Sequence, residues 1–175
     1  MKRYTVFALA AVVATGTLMT ATARVSAQAD AVKQIDSDCL AIQNAIMALH
    51  PIHVALIAGQ WKVLSEGDYA VAEQTHKSIT FADVYKQGNN YAWVHSHSFS
   101  ESGKQTATQL CFRQADGSLE RARQAATVPN LDAAGAEAAY YTPDGKVIQK
   151  TSLFEVNDPA IAKSVKELAF YQVLP

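Results

Sequence analysis

Apolar residues at Val32, Ile35, Cys39, Ile42, Ile46 and Leu49 recur at spacings of three and four, which places all six along one face of a helix. Asp30 stands where an N-cap would. Pro51 ends the segment, because the residue before a proline is pushed out of the helical region. A stripe this short predicts a helix packed on a core rather than a coiled-coil seam. A bond from Cys39, which lies within the stripe, points inward.

Beyond Pro51 the period changes. Short alternating runs flank four glycines, Gly59, Gly88, Gly117 and Gly145, separated by 29, 29 and 28 residues. Asp116-Gly117 and Pro143-Asp144-Gly145 are strong turn signals, since glycine takes positive φ without steric cost. Gly59 and the loop at 87–90 are weaker versions of the same signal. The spacing predicts four hairpins of like size. Between them, Ser65 caps a short helix starting at Glu66, and residues 130–136 carry a weak helical bias. Near the end, Asp158-Pro159 with Ile161, Val165 and Leu168 predicts a short terminal helix. A meander of seven or eight antiparallel strands cannot leave an apolar face in water, so the N-terminal stripe packs against it. The expected fold is α+β: an N-terminal helix on an antiparallel meander, with a short C-terminal helix.

The stretch before the stripe reads as an export signal. Lys2 and Arg3 precede an uncharged apolar run over residues 5–19, shorter than the roughly 20 residues a membrane span needs. Small residues at Ala27 and Ala29 place the cut after Ala29, with Ala27 as the second choice. The chain then divides into a signal peptide, 1–29, and one domain, 30–175, not membrane-spanning and directed to the periplasm or the exterior. Removing Lys2, Arg3 and Arg24 leaves 12 basic residues against 16 acidic ones, a net charge of −4. Such a surface is a poor match for nucleic acid. In an oxidising compartment, Cys39 and Cys111 are expected to pair.

Chemistry concentrates in two places. Tyr91, Trp93, His95, His97 and Phe99 alternate along one strand and should share a face. There the histidines stand about 6.5 to 7 Å apart by Cα, close enough to chelate a metal if a third ligand, His53 or Asp83, arrives from elsewhere. Packing of the rings on one another is the plainer expectation. Arg113, Arg121 and Arg123 sit on one hairpin. A two-residue turn at Asp116-Gly117 would set Arg113 opposite Glu120, with Arg121 and Arg123 on the face of Leu110, Phe112 and Leu119, ready for a carboxylate or phosphate. The sequence has no G-x-S-x-G, no phosphate-binding loop and no cofactor signature.

Two functions from different classes follow. The first is a non-catalytic envelope domain that binds a small apolar ligand or another envelope protein through Tyr91, Trp93, His95 and His97, with Arg121 and Arg123 as a second contact. The second is a metal-dependent hydrolase built on His95 and His97. Export generates the first prediction: the intact mass of the exported protein corresponds to a chain starting at Asp30. A membrane-bound product retaining residues 1–29 would overturn the domain boundary.

Overall fold

The computed structural model describes residues 11–75, 80–99, 105–127, 136–151 and 161–175. Helix α1 (Ala11–Ile46) is followed by the hairpin of β1 (Ile52–Ile57) and β2 (Gln60–Leu64), helix α2 (Glu66–Thr75), and six further strands. These are β3 (Thr80–Gln87), β4 (Asn90–Phe99), β5 (Gln105–Phe112), β6 (Leu119–Thr127), β7 (Ala136–Tyr141) and β8 (Val147–Lys150). The eight strands form one antiparallel sheet in the order β2-β1-β3-β4-β5-β6-β7-β8. The α+β architecture and the four hairpins therefore match the sequence pattern, and all four turn glycines have φ between 62° and 78°.

One departure from a plain meander lies at the start. β2 folds outward to the sheet edge, so the chain must return past β1 to reach β3. Antiparallel neighbours of the same strand run parallel to each other, and such strands need a crossover and not a tight turn. α2 lies in that crossover and packs on β1 and β2. Its start is capped as the sequence suggests, with the Ser65 hydroxyl accepting from the Asp68 amide at 3.2 Å.

α1 lies across the strands. Ile35, Cys39, Ile42 and Ile46 are buried, Val32 is half-buried, and Leu49, beyond the helix end, is exposed. Asp30 lies inside α1 and caps nothing, because the helix begins at Ala11. The helix meets Tyr85 of β3, Trp93 of β4, Cys111 of β5, Tyr140 of β7 and Ile148 of β8. From β6, Arg121 donates to Asp36 of α1 at 2.7 Å. Every strand from β3 to β8 thus presents at least one side chain to the helix, β4 adding Ala92 and β6 adding Glu120. The Cys39–Cys111 disulfide is formed at the centre of this seam, with both residues fully buried.

The opposite face of the sheet carries the larger core. Val54, Val84, Val94, Leu110, Phe112, Leu119 and Tyr141 pack there under the C-terminal segment, through Ile161, Val165, Leu168 and Phe170. The expected terminal helix is realised as two 3-10 turns, Val165–Glu167 and Tyr171–Val173. Backbone bonds compete with an α-helix here: the Leu119 amide donates to Lys163 and the Val165 amide to Gly117, pinning the segment to the β5–β6 turn. The proposed start at Asp158-Pro159 and residues 130–135 lie outside the described residues. Ala136, assigned a weak helical bias above, begins β7.

Register shifts occur once in each of the last three hairpins, between Tyr85/Lys86, Cys111/Phe112 and Tyr140/Tyr141. Ala92, Glu120 and Ile148 are the extra residues, each three or four positions after the turn glycine. A bulge sends the residues before it to the other side of the sheet and sharpens the local twist.

The disulfide closes a loop spanning 72 residues, so replacing both cysteines with alanine should lower unfolding free energy by about 2 to 4 kcal/mol. Urea denaturation measures the loss. Thiol labelling of the denatured, unreduced protein should find no free sulfhydryl, and two labelled sites would refute the pairing.

Candidate ligand-binding site

The seam under α1 occupies one cross-strand row, Tyr85, Trp93, Cys111, Arg121 and Tyr140. Side chains two positions along each strand return to the same face. The next row is His53, Asp83, His95, Gln109, Arg123 and Ala138, in register from β1 to β7. It is polar through five of its six positions.

α2 covers the β1 end of this row. The Tyr69 ring stacks on His53 with centroids 4.2 Å apart. His53 Nδ1 lies 2.8 Å from Asp83 Oδ1, and Tyr69 also hydrogen-bonds Asp83. Burial, then the negative charges of Asp83 and Glu73, push the Tyr69 hydroxyl far above its ordinary pKa, so it stays a donor. These contacts lock α2 to the sheet.

His97 belongs to the following row and is packed. It stacks on Phe81 at 5.3 Å and meets Phe99 edge-on at 5.7 Å. Its side chain is 11% exposed, and Nε2 is 3.6 Å from Glu73 Oε1, beyond hydrogen-bond distance. Burial lowers its pKa, neighbouring His95 adds to the effect, and Glu73 and Asp83 oppose it. A neutral ring results at pH 7.

Toward β5 and β6 neither helix lines the surface. A depression of about 200 Å³ opens there, lined by Ala107, Gln109, Arg123, Gln124 and Ala125. Ala107 and Ala125 are register partners, as are Gln109 and Arg123. The short alanine side chains set the floor low, and the longer polar pair forms one wall.

The residues singled out by sequence separate. Tyr91 does not share the face of Trp93: the bulge at Ala92 turns it to the opposite side, where it meets Tyr171 and hydrogen-bonds the Pro175 oxygen. Trp93 is 4% exposed beneath α1, with the Arg121 guanidinium 5.8 Å over its ring. Arg121 is itself 7% exposed and held by Asp36, whose other oxygen accepts from Tyr140 at 3.2 Å. It anchors the helix. Nor do Arg121 and Arg123 share a face with Leu110, Phe112 and Leu119, which belong to the opposite core. The β5–β6 loop closes between Arg113 and Ser118, not as a two-residue turn, and the bulge at Glu120 moves Leu119 across.

Arg113 still reaches Glu120, at 3.5 Å, and also donates to the Leu119 and Tyr141 carbonyls. Burial raises the Glu120 pKa, partly offset by Arg113. Of the hairpin's three arginines, Arg123 is the exposed one, and among the described residues no carboxylate pairs with it.

His95 and His97 have ring centroids 6.0 Å apart. Among the described residues, the one trio of His, Cys, Asp or Glu with ligand atoms within 4.8 Å is Cys39, Cys111 and Glu120. Its two sulfurs are already bonded to each other. His53 and Asp83, nominated as third ligands for the histidine pair, instead bond each other. Gln109, Tyr69 and Glu73 escaped the sequence reading. Gln109 stands opposite Arg123 only in the bulged register, whereas the two-residue turn expected from the sequence would set Leu110 there.

His97 generates a pH prediction. The unfolded chain takes up a proton near the ordinary histidine value of 6.5 while the folded ring resists it, so stability falls as pH drops below that value toward the depressed folded pKa. Denaturation midpoints taken from about pH 7.5 to about pH 5 should show this slope, and H97Q should flatten it. An unchanged slope in H97Q would place the effect elsewhere.

Comparison with known proteins assigns no family: no family model, no curated protein and no solved structure matches this chain.

Proposed function

We propose that this protein is an exported, non-catalytic binding domain that takes a small apolar ligand in the depression on the helix-bearing face of its sheet. The carrying observation is the pocket at Ala107, Gln109, Arg123 and Ala125, beside a seam that is otherwise filled. Ligand sites are concave and mostly apolar, with a few placed polar groups. A space of about 200 Å³ suits a small molecule better than a partner's helix or strand. Of the residues first nominated, Arg123 lines it, and His95 shares its row.

Export rests on the N-terminal pattern and on the buried disulfide, a bond that persists in oxidising compartments. No helix among the described residues is long and apolar enough to cross a membrane. Cleavage after Ala29 removes the Gln28 bond to the Ile148 carbonyl but keeps Ile35, Asp36, Cys39, Ile42 and Ile46, which all follow the cut. The metal-dependent hydrolase takes second place because no third ligand converges on His95 and His97 among the described residues.

Trp93 lies under α1 and is no reporter for this site, so the test uses an added neutral lipophilic dye such as Nile red. Dye emission should rise on binding and fall when small lipophiles compete. Ala125→Leu fills the floor and should weaken dye binding by about ten-fold, the loss expected when a ligand of this size is crowded out. Equal binding by the filled variant, or no binding by the native protein, would remove the depression as the site.

A further inference from the structure

The geometry points to a carboxylate as the head group of the ligand, held by Arg123 and Gln109 while a short apolar body lies over Ala107 and Ala125. This inference rests on the binding reading above and names its ligand class.

Two of the three arginines on the β5–β6 hairpin are consumed within the protein. Arg113 meets Glu120 and two backbone carbonyls, and Arg121 meets Asp36. Arg123 is exposed and lines the depression. Its register partner Gln109 lines the same wall. A cross-strand pair sits about 4.5 to 5.5 Å apart at Cβ, so a guanidinium and a primary amide there can address the same group. Guanidinium offers parallel N–H donors that match the two oxygens of a carboxylate, and the Gln109 amide adds a further donor.

The apolar part has a defined place relative to that head. Ala107 and Ala125 lie two residues from Gln109 and Arg123 along their strands, a step of about 6.5 to 7 Å. A straight-chain monocarboxylate therefore extends from the polar wall across the alanine floor. Charge supports the assignment. The domain after residue 29 is net negative, with 12 basic and 16 acidic residues, so a cation set against an apolar floor gives an anion local attraction that the surface as a whole does not. The alanine floor continues the His97 row, His97 being the register partner of Ala107, so the packed rings of His97 and Phe99 border the apolar side of the depression.

Octanoate and 1-octanol separate the head group from the chain, using the native disulfide-bonded protein and displacement of bound Nile red. Octanoate should displace dye at least about ten-fold more effectively than octanol, the scale of one charge-assisted contact. Arg123→Gln should abolish that difference, and Arg123→Lys should restore part of it, because a point charge remains without the fork. Unchanged far-ultraviolet circular dichroism and melting temperature establish that the variants are folded. If both ligands displace dye equally from the native protein, or if Arg123→Gln preserves the octanoate preference, the carboxylate assignment is overturned and apolar binding stands. If neither ligand displaces dye, the binding reading falls with it.

Discussion

α1 reaches every strand from β3 to β8, and the covalent bond between Cys39 and Cys111 lies midway along that line. Six strands turned to a single helix need that helix to sit across them in one register. The bond supplies the register, because it allows only one residue of α1 over one residue of β5. Apolar burial on both sides of it then follows from helical spacing: Ile35 lies one turn before Cys39, and Ile42 and Ile46 lie one and two turns after. The Asp36–Arg121 pair adds direction. Arg121 is buried and would be costly unpaired, so the helix face that offers a carboxylate must turn toward β6.

Placing α1 there also decides what remains open. A helix lying across a sheet covers one row of side chains well and the next poorly. On the β1 side the crossover helix α2 takes up the next row, through the Tyr69, His53 and Asp83 contacts. Over β5 and β6 it does not reach, and the short side chains of Ala107 and Ala125 leave the depression where Arg123 is exposed. The pocket is thus a consequence of two helices covering a sheet wider than both. Polar residues are tolerated in that row for the same reason, being partly solvated at the open end and mutually bonded at the covered end.

Bulges redistribute the side chains that strict alternation would assign. With Ala92 inserted, Tyr91 leaves the aromatic row and joins Tyr171 and the chain terminus on the other face. With Glu120 inserted, Leu119 joins the large core, and Glu120 itself faces the disulfide, its Oε2 3.9 Å from Cys39 Sγ. An unbulged β6 would put Leu119 on the face of Arg121, away from Phe112 and Leu110, which suggests why the extra residue is stable despite an interrupted ladder.

Periodicity in the sequence was enough for the helix stripe, the four hairpins, the cap at Ser65 and the cysteine pair. These features are local, or, for the disulfide, had no competing partner. They follow from the 3.6 and 2.0 residue repeats and from turn chemistry at glycine. The Arg113–Glu120 pair was legible as well, being local to one hairpin, whereas the outward fold of β2, the three bulges and the pairing of Arg121 with Asp36 were not, because each depends on residues distant in the chain. Arg121 and Arg123 show the limit most plainly. Two residues apart on one strand, they look alike in sequence, yet one is buried against Asp36 and the other is exposed in a pocket. What separates them is where α1 ends its cover, and that boundary is set by the packing of a helix 85 residues away from Arg121 in the chain.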